Sequence, residues 1–347
     1  MTGKIRRVAV LGAGAWGTTL AWMLARKGLP VSLWARRPQL AEQIRRSRRN
    51  EAYRPEIQLP ANVLVTADVQ QAAEGAEVVI VAVPSHVLRV VLQTAAPHIA
   101  SSTDVVIAAK GIERGSGKRM SQVAAEVLHR LNGKGITVLS GPNLSEEIAH
   151  GMPAAAVVAS TDEASMQKCQ GLFASDLFRV YTNCDIIGVE LCGAYKNIIA
   201  LAAGISDGLG YGENTKAALI SRGLVEMAAV VVRSGGSATT CWGLAGVGDL
   251  MATCHSRLSR NWTVGYAIGR GHSVDEAIAQ IAGIAEGIYT TAAIVETAKD
   301  VELPIARAVY NILYGGAQPA EQARQLMTRA WRAETAAWHE IGLGPVQ

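Results

Sequence analysis

The sequence predicts a doubly wound α/β domain at its N-terminal end and a mainly α-helical domain at its C-terminal end. Short apolar runs rich in Val alternate with helical segments over the first half, and the 35 glycines supply tight turns between them. Strand signals fade from Val189 onward. Because strands that alternate with helices form parallel sheets covered on both faces, we predict two domains, residues 1–188 and 189–347.

The elements of both halves can be assigned in order along the chain. Residues 7–11 form the first predicted strand and residues 18–27 the first helix, and Gly28 then occupies the position where glycine commonly ends a helix. Further strands are predicted at residues 31–34, 78–83, 105–109, 137–140 and 155–159. Apolar residues at helical spacing predict helices at residues 190–203, 216–233, 274–281, 290–299 and 305–314.

Composition and charge narrow the class of protein. The 347 residues are 49% hydrophobic and 18% charged, which favours folded domains over a disordered chain. The net charge of +4 suits an anionic small molecule better than a nucleic acid. We interpret the basic run Arg45, Arg46, Arg48 and Arg49 as a solvated helix face. A nucleic-acid-binding arm is the less favoured alternative, because no aromatic stacking platform accompanies the run.

Cysteine usage and apolar run lengths bear on the compartment. The five cysteines have neither metal-site nor redox spacing, so we predict a reduced, cytoplasmic chain without a metal ion. The N-terminus has no apolar run long enough for a signal peptide before the first strand. The longest apolar runs, such as residues 78–84 and 227–232, are far shorter than the ~20 residues that span a bilayer. We therefore expect no membrane insertion.

A glycine motif directly follows the first predicted strand. Gly12, Gly14 and Gly17 form G-x-G-x-x-G between a strand and a helix, the context in which this pattern binds a dinucleotide. Gly12 permits the tight turn, Gly14 lets the backbone approach the pyrophosphate, and Gly17 lets the helix pack against the strand. The helix N-terminus then offers N–H groups to the phosphates. The motif predicts a Rossmann-like domain, and the alternative is a plain turn with glycines for packing only.

The end of the second strand bears on the choice between NAD and NADP. It carries Arg36 and Arg37, and the next acidic residue is Glu42. Since arginine can hold a 2′-phosphate through paired charge-assisted hydrogen bonds, we predict that NADP(H) is preferred or well tolerated beside NAD(H). The alternative is that both arginines are solvated surface charges. His86 follows a later strand end, where a wall or capping role is favoured over a catalytic one.

Two lysines are candidates for acid–base chemistry. Lys110 stands at a strand end followed by glycine, a position typical of sites in open α/β sheets. Lys196 lies in a very apolar helical stretch. A buried lysine loses hydration, which lowers its pKa toward neutrality and lets it give a proton to an alkoxide and accept it back. The alternative for Lys196 is a helix lysine that covers apolar surface and reaches solvent.

A third segment offers polar groups after closely spaced glycines. Asp249 follows Gly246 and Gly248, so that its carboxylate can be aimed at Lys196 or at a substrate hydroxyl. Ser259, Arg260 and Asn261 offer hydroxyl, guanidinium and amide donors in succession, a set that suits a phosphate monoester. The alternative for this triplet is a helix N-cap followed by a surface arginine.

Together these motifs resemble the soluble, bacterial NAD(P)-dependent glycerol-3-phosphate dehydrogenase family from Val8 to about Arg329. The matching segments are GAGAWGTTLA (12–21), VAVPSH (81–86), AAKGIE (108–113), SGPNLSEEIAHGMP (140–153), GAYKNIIALAAGISDGLGYGENTKAALISRGLVEM (193–227), GLAGVGDLMATC (243–254), SRN (259–261) and AEG (285–287). The resemblance implies reversible reduction of dihydroxyacetone phosphate by NAD(P)H in a cleft between two domains. It also implies a supply of glycerol 3-phosphate for phospholipid synthesis, and a homodimer.

The resemblance further implies roles for matching positions. The implied catalytic residue is Lys196. The implied substrate-binding residues are Lys110, Gly141, Asn143, Lys196, Asp249, Ser259, Arg260 and Asn261. The implied cofactor-binding residues are Gly12, Gly14, Ala15, Trp16, Gly17, Arg36, Arg37, Tyr53, Lys110, Ser145, Arg260, Ile284 and Glu286. Two positions depart from the commoner pattern: many relatives carry Thr or Ser at 143 and Ser at 15, so any contact of Ala15 must come from its main chain.

Two other functions remain open at this stage. A related two-domain dehydrogenase could act on a 3-hydroxy acid or a sugar acid, and only the Ser259–Asn261 triplet argues against it, through the phosphate. A non-catalytic NADPH-sensing protein would bind the cofactor without turnover. The presence of both Lys196 and Asp249 argues against a sensor, which has no need of a buried lysine beside the nicotinamide.

Overall fold

The computed structural model describes residues 5–131 and 135–337. Residue contacts divide the chain into two compact units. Unit 1 comprises Met1–Ala109 and Met120–Ile186, and unit 2 comprises Lys110–Arg119 and Ile187–Gln347. The segment Lys110–Arg119 therefore groups with the helical half of the chain, although it precedes residue 188. The assignment of two domains with a boundary at residue 188 stays a prediction.

The described residues of unit 1 form ten strands. These are β1 (Val8–Leu11), β2 (Val31–Trp34), β3 (Arg49–Asn50), β4 (Arg54–Gln58), β5 (Val63–Thr66), β6 (Val78–Val81), β7 (Asp104–Ile107), β8 (Ile136–Ser140), β9 (Ala154–Ala159) and β10 (Phe178–Asn183). Eight of them form one sheet in the order β10-β9-β8-β7-β6-β1-β2-β5, and β3 pairs with β4 in a separate antiparallel ribbon. All six strands predicted from the sequence are present, whereas β3, β4, β5 and β10 were not predicted.

The main sheet is parallel except at one pair. Strands β8 and β9 run antiparallel, so the predicted parallel sheet contains one antiparallel pair. The segment between the two strands returns the chain in the opposite direction beside β8. Elsewhere the residues of β1, β6 and β7 are all buried, as expected for strands covered by helices on both faces.

The order of the strands places a switch point at β1. The strand lies between β2 and β6 and is parallel to both, so the chain proceeds to opposite sides of β1 in its two halves. Ligands of doubly wound sheets bind at the carboxyl ends of strands beside such a point. The glycine motif begins at Gly12, immediately after β1, and so occupies this position.

Seven α-helices accompany the sheet within the described residues of unit 1. They are α1 (Ala15–Arg26), α2 (Pro38–Ser47), α3 (Val69–Ala73), α4 (Leu88–Ala95), α5 (Met120–Val127), α6 (Ser145–Ala149) and α7 (Glu163–Phe173). Helix α1 begins three residues before the predicted start, because the glycine motif itself supplies its first turn. It ends as predicted: Gly28 follows the C-cap residue with a left-handed φ of 81°.

Unit 2 is helical over its described residues. Its helices are α8 (Ile186–Gly208), α9 (Glu213–Arg233), α10 (Asp249–His255), α11 (Arg260–Gly269), α12 (Val274–Ala279), α13 (Glu286–Thr297), α14 (Pro304–Gly315) and α15 (Pro319–Met327). Helices α8 and α11 touch through their backbones. A Cβ on Gly204 would lie 2.1 Å from the Trp262 carbonyl oxygen, and one on Gly265 would lie 2.2 Å from that of Leu201. These glycines bring the first half of α11 close to the C-terminal part of α8.

Helix α8 is the core of unit 2. Among the described residues it is the one helix long and apolar enough to cross a membrane, judged by length and composition alone. However, 89% of its most apolar stretch is buried inside the protein, and the central helix of a folded unit meets the same criterion. Its apolar character therefore has an explanation in packing.

Candidate active site

The glycine turn, residues 12–17, combines two tightly packed glycines with one open one. Gly12 has a φ of +119°, and a Cβ there would lie 2.6 Å from the Ala82 carbonyl oxygen. A Cβ on Gly17 would lie 1.9 Å from the Gly12 carbonyl oxygen. Close packing therefore explains why Gly12 and Gly17 are glycines. For these two positions this agrees with the alternative interpretation, a turn with glycines for packing only.

Gly14 has a different environment. No heavy atom lies within 4 Å of the position that its Cβ would occupy. It is the N-cap residue of α1, and it has no side chain with which to cap the helix. An uncapped, sterically open N-terminus of a twelve-residue helix fits the pyrophosphate of a dinucleotide. Ala15 and Trp16, both half-buried, form the start of the same helix.

Other predicted cofactor residues of unit 1 are linked by hydrogen bonds. Arg36 and Arg37 are exposed after β2, and Arg37 donates to the Tyr53 hydroxyl at 3.5 Å. Ser145 begins α6, and its carbonyl accepts from Thr19 of α1 at 3.5 Å. Ser145 therefore lies against the helix that begins at the glycine turn.

Two predicted substrate residues follow β8. Gly141 has a φ of +122°, and a Cβ there would lie 3.1 Å from Ala156 Cα. Asn143 places both amide atoms out of solvent, with no hydrogen-bond partner for either among the described residues. Because a buried amide without partners is costly, this arrangement fits a side chain that contacts a ligand.

The structure shows where the basic run, residues 45–49, and His86 lie. Arg45 and Arg46 pair with Glu42 on the surface of α2, at 2.9 and 2.6 Å, as expected for a solvated helix face. Arg48 and Arg49 instead donate to backbone carbonyl groups, Arg48 to that of Val63 at the start of β5 and Arg49 to that of Pro55 in β4. His86 is exposed, in a short 3-10 helix after β6.

Three charged residues of unit 2 form a buried Lys–Asp–Lys cluster. Lys196 Nζ donates to Asp249 Oδ1 at 2.5 Å and to the Thr253 hydroxyl at 2.7 Å. Lys110 Nζ donates to Asp249 Oδ2 at 2.6 Å. The side chains of Lys196 and Asp249 are only 9% and 3% exposed, so Lys196 points inward. The alternative of a lysine that reaches solvent along the surface is therefore wrong.

Burial sets the protonation behaviour of Lys196. It lowers the pKa of Lys196 from the usual 10.5 to about 8, because the ammonium loses its hydration. The negative charge of Asp249 opposes this shift, and the positive charge of Lys110 adds to it. An amine with a pKa near 8 can both donate and accept a proton close to neutral pH.

A kink in the backbone before α10 places Asp249 beside Lys196 and Lys110. Gly246 has φ −91° and ψ −105°, outside the helical region, and a Cβ there would lie 2.0 Å from the Cys241 carbonyl oxygen. Only glycine fits this approach, and α10 begins three residues later with Asp249. A carboxylate in the first turn of a helix is also favoured by the helix dipole.

The Ser259–Asn261 triplet begins α11. Ser259 is the N-cap, and its hydroxyl oxygen accepts from Trp262 N at 3.2 Å. The N-cap role was the alternative interpretation for this residue. Asn261 is buried, and it donates to Asn197 Oδ1 at 2.9 Å and accepts from Gly287 N at 2.9 Å. Because Asn197 directly follows Lys196, these bonds tie the triplet to the helix that carries the cluster.

Arg260 reaches toward the segment before α13. A Cβ on Gly283 would lie 2.7 Å from Arg260 Nη1, and Gly283 has a left-handed φ of +100°. Ile284 follows this glycine, and the half-buried Glu286 is the first residue of α13. The structure thus brings together four predicted residues of unit 2: Arg260, Asn261, Ile284 and Glu286.

Sequence reasoning did not identify a second buried carboxylate in unit 2. Glu226 accepts from the Tyr195 hydroxyl at 2.7 Å and from the first-turn amides of α14, Ile305 N at 2.7 Å and Ala306 N at 3.2 Å. Burial raises the pKa of Glu226 to about 7, against the opposing effect of these hydrogen bonds. Glu226 therefore caps α14 and joins it to α8. Asn197 and Thr253 were also missed, since nothing in their spacing marks them.

A metal ion has no obvious place in the described parts of the chain. Within residues 5–131 and 135–337, no group of three or more His, Cys, Asp or Glu side chains is arranged to hold one. The Lys–Asp–Lys cluster instead has the groups that proton transfer requires.

Comparisons with known proteins match both units. A family model described as NAD-dependent glycerol-3-phosphate dehydrogenase N-terminus matches residues 7–166, and the corresponding C-terminus model matches residues 185–324. A relative from Chlorobium limicola named glycerol-3-phosphate dehydrogenase (NAD(P)+) is 46% identical over 330 residues, which are 94% of this chain and 99% of the relative. One of that name from Thermobifida fusca is 47% identical over 331 residues, 94% and 98% of the two chains.

A solved structure agrees with these matches. The crystal structure of glycerol-3-phosphate dehydrogenase from Coxiella burnetii superimposes with a TM-score of 0.89 at 37% identity, and it covers 94% of this chain and 99% of its own. The two family-model matches together include both the glycine turn and the Lys–Asp–Lys cluster.

Proposed function

Because this chain belongs to the NAD-dependent glycerol-3-phosphate dehydrogenase family, we propose that it interconverts glycerol 3-phosphate and dihydroxyacetone phosphate with NAD(P)H. The observation that carries the proposal is the buried Lys196, held by Asp249 at 2.5 Å with a pKa lowered to about 8. A buried amine of this pKa suits a reaction in which one group must protonate an alkoxide and deprotonate an alcohol.

Unit 1 would hold the cofactor. The uncapped start of α1 at Gly14 suits the pyrophosphate, while Arg36 and Arg37 suit a 2′-phosphate on the adenosine side. We assign further contacts to Ala15, Trp16, Tyr53 and Ser145, and in unit 2 to Lys110, Arg260, Ile284 and Glu286. When bound, the nicotinamide supplies or accepts the hydride.

Unit 2 would supply the proton. In the direction of ketone reduction, the Lys196 ammonium donates to the oxygen that gains negative charge. Asp249 fixes the position of this ammonium, and Thr253 holds it from a second direction. Lys110 shares the carboxylate of Asp249, and its charge favours the neutral form of Lys196 after the transfer. The reverse reaction uses the same amine, now neutral, as the base.

The phosphate of the substrate would be recognised at the start of α11. Arg260 can donate two parallel hydrogen bonds to phosphate oxygens. Asn261 uses one amide hydrogen on Asn197, and its second hydrogen can reach a ligand. The Ser259 hydroxyl accepts from the backbone and can still donate its own hydrogen. Gly141 and Asn143 are the proposed contacts from unit 1.

The wider role follows from this activity. We propose that the glycerol 3-phosphate formed enters phospholipid synthesis, and that the protein is a cytoplasmic homodimer not inserted into a membrane. The 3-hydroxy-acid, sugar-acid and sensor alternatives account less well for a lysine buried beside an aspartate next to phosphate-binding donors.

The test is the absorbance of the nicotinamide band with dihydroxyacetone phosphate and either NADPH or NADH. We expect the absorbance to fall with the phosphorylated ketone and to stay constant with unphosphorylated dihydroxyacetone, which lacks the group that Arg260 and Asn261 bind. Constant absorbance with both cofactors, from protein that binds NADPH in calorimetry, would contradict the proposed reaction and favour a sensor or another substrate.

A further inference from the structure

Asn50 is a fully buried residue of β3 that lies beside the glycine turn. Its amide nitrogen donates to the Ala13 carbonyl oxygen at 2.9 Å and to the Thr18 hydroxyl at 2.8 Å. Because a carbonyl oxygen can only accept, the contact with Ala13 fixes which end of the Asn50 amide faces the turn. One side chain thus joins the turn to the first turns of α1.

The bond to Ala13 also orients the next peptide group. Ala13 lies between Gly12 and Gly14, and no cis peptide bond occurs in the described chain. In a planar trans peptide the N–H points opposite to the C=O. A carbonyl of Ala13 directed at Asn50 therefore directs the N–H of Gly14 away from Asn50.

The β3–β4 ribbon is itself firmly attached, so Asn50 can act as a fixed point. Arg49 donates to the Pro55 carbonyl oxygen at 2.8 Å within the ribbon. Arg48, which precedes it, donates to the Val63 carbonyl oxygen at 3.1 Å, at the start of β5. Arg54 of β4 donates to the Ser145 hydroxyl at 2.6 Å. The ribbon is therefore tied to the sheet on one side and to α6 on the other.

We propose that Asn50 is a positioning residue for the cofactor pyrophosphate. Its hydrogen bond keeps the Ala13 carbonyl directed at Asn50. The Gly14 N–H and the following amides of α1 are thereby oriented for the phosphates before the cofactor binds. The inference rests on the proposed function for the identity of the cofactor. Asn50 touches no reacting atom, and its effect is on cofactor affinity rather than on the chemical step.

The experiment measures the dissociation constants of NADPH and NADH by calorimetry without substrate. Asn50→Ala should weaken both about tenfold, since it removes a hydrogen bond that preorganises the site. Both cofactors should weaken by the same factor, because both contain the pyrophosphate. In turnover with dihydroxyacetone phosphate, KM for the cofactor should rise while kcat at saturating cofactor stays near that of the unmodified protein.

Asn62 supplies the matched control at the other end of the same helix. Its amide nitrogen donates to the carbonyl oxygens of Ala25 and Leu29 at 2.9 and 2.8 Å, near the C-terminus of α1. Asn62→Ala removes the same kind of bond from the same helix, so it should lower Tm without changing either dissociation constant. This separates loss of stability from loss of orientation at the turn.

Each outcome decides the proposal. Unchanged dissociation constants in folded Asn50→Ala overturn it, as does an equal loss of affinity in Asn62→Ala. If Asn50→Ala does not fold, Asn50→Ser is measured instead, and the same criteria apply with a smaller expected loss. A protein that binds NADPH yet reduces no dihydroxyacetone phosphate contradicts the proposed function but leaves the calorimetric test of Asn50 intact.

Discussion

The glycine turn of unit 1 and the Lys–Asp–Lys cluster of unit 2 are built in opposite ways. The turn depends on the absence of side chains. Its three glycines lie within six consecutive residues, and Gly14 leaves the space at the start of α1 unfilled. The cluster depends on charged side chains that lie inside the protein. Asp249 contacts Lys196 and Lys110, which are 53 and 139 residues away in the sequence. Under the proposed function the glycine turn binds the cofactor and the cluster moves a proton, so mutations in the two regions should have separate effects.

The largest effect should follow from removing the amine of the cluster. Lys196→Ala should lower kcat by about 10²- to 10⁴-fold, the usual contribution of a general acid or base. The dissociation constant of NADPH should change little, because the glycine turn belongs to unit 1 and is unaltered. Steady-state rates and calorimetry on the same protein measure both quantities. A Lys196→Ala variant with normal kcat would remove Lys196 from the mechanism.

A smaller effect should follow from filling the packed part of the turn. Gly17→Ala places a Cβ 1.9 Å from the Gly12 carbonyl oxygen, so the backbone of the turn must move. We expect NADPH to bind about 100-fold more weakly, comparable to the effect of misplacing a binding group by about 1 Å.

Gly171 of α7 offers a control for this change. It is a helical glycine with no heavy atom within 4 Å of its Cβ position, so Gly171→Ala should leave cofactor binding unchanged. Normal NADPH affinity in Gly17→Ala would show that the packing of the turn does not determine the site.

The smallest effect should distinguish the two cofactors. Arg36→Ala should raise KM for NADPH about tenfold through loss of one charge-assisted hydrogen bond, with little change for NADH. Arg45→Ala is the control, because Arg45 is also exposed but pairs with Glu42 on α2. Equal changes in KM for both cofactors would mean that Arg36 does not contact the 2′-phosphate.

The sequence could predict those features that depend on neighbouring residues. The glycine turn, the six buried strands and the end of α1 at Gly28 each follow from a few consecutive positions. Strand β10 was missed because its first residues alternate in exposure rather than forming a fully buried apolar run, and β5 is a run of only four residues with one of them exposed. The antiparallel β8–β9 pair depends on the path of a connecting segment, which periodicity does not reveal.

The site was predictable in its residue types but only partly in its contacts. Lys196 and Asp249 could be paired from their chemistry, and the structure confirms the contact. The bond of Lys110 to the same carboxylate, and the use of Asn261 on Asn197, depend on segments far apart in the chain. Glu226 could not be singled out, since only the fold shows that its partners are a tyrosine and the amides of α14.

The dependence of kcat/KM on pH tests the central claim most directly. The pKa of Lys196 is about 8, so the ammonium needed for ketone reduction is present below this pH and is lost above it. The rate of reduction should therefore fall as pH rises through about 8, and the rate of glycerol 3-phosphate oxidation should rise over the same range. Glu226→Gln controls for the other buried group, whose pKa is about 7. Persistence of both trends in that variant is the predicted result, whereas a flat profile near pH 8, or a break that disappears with Glu226, would contradict the account.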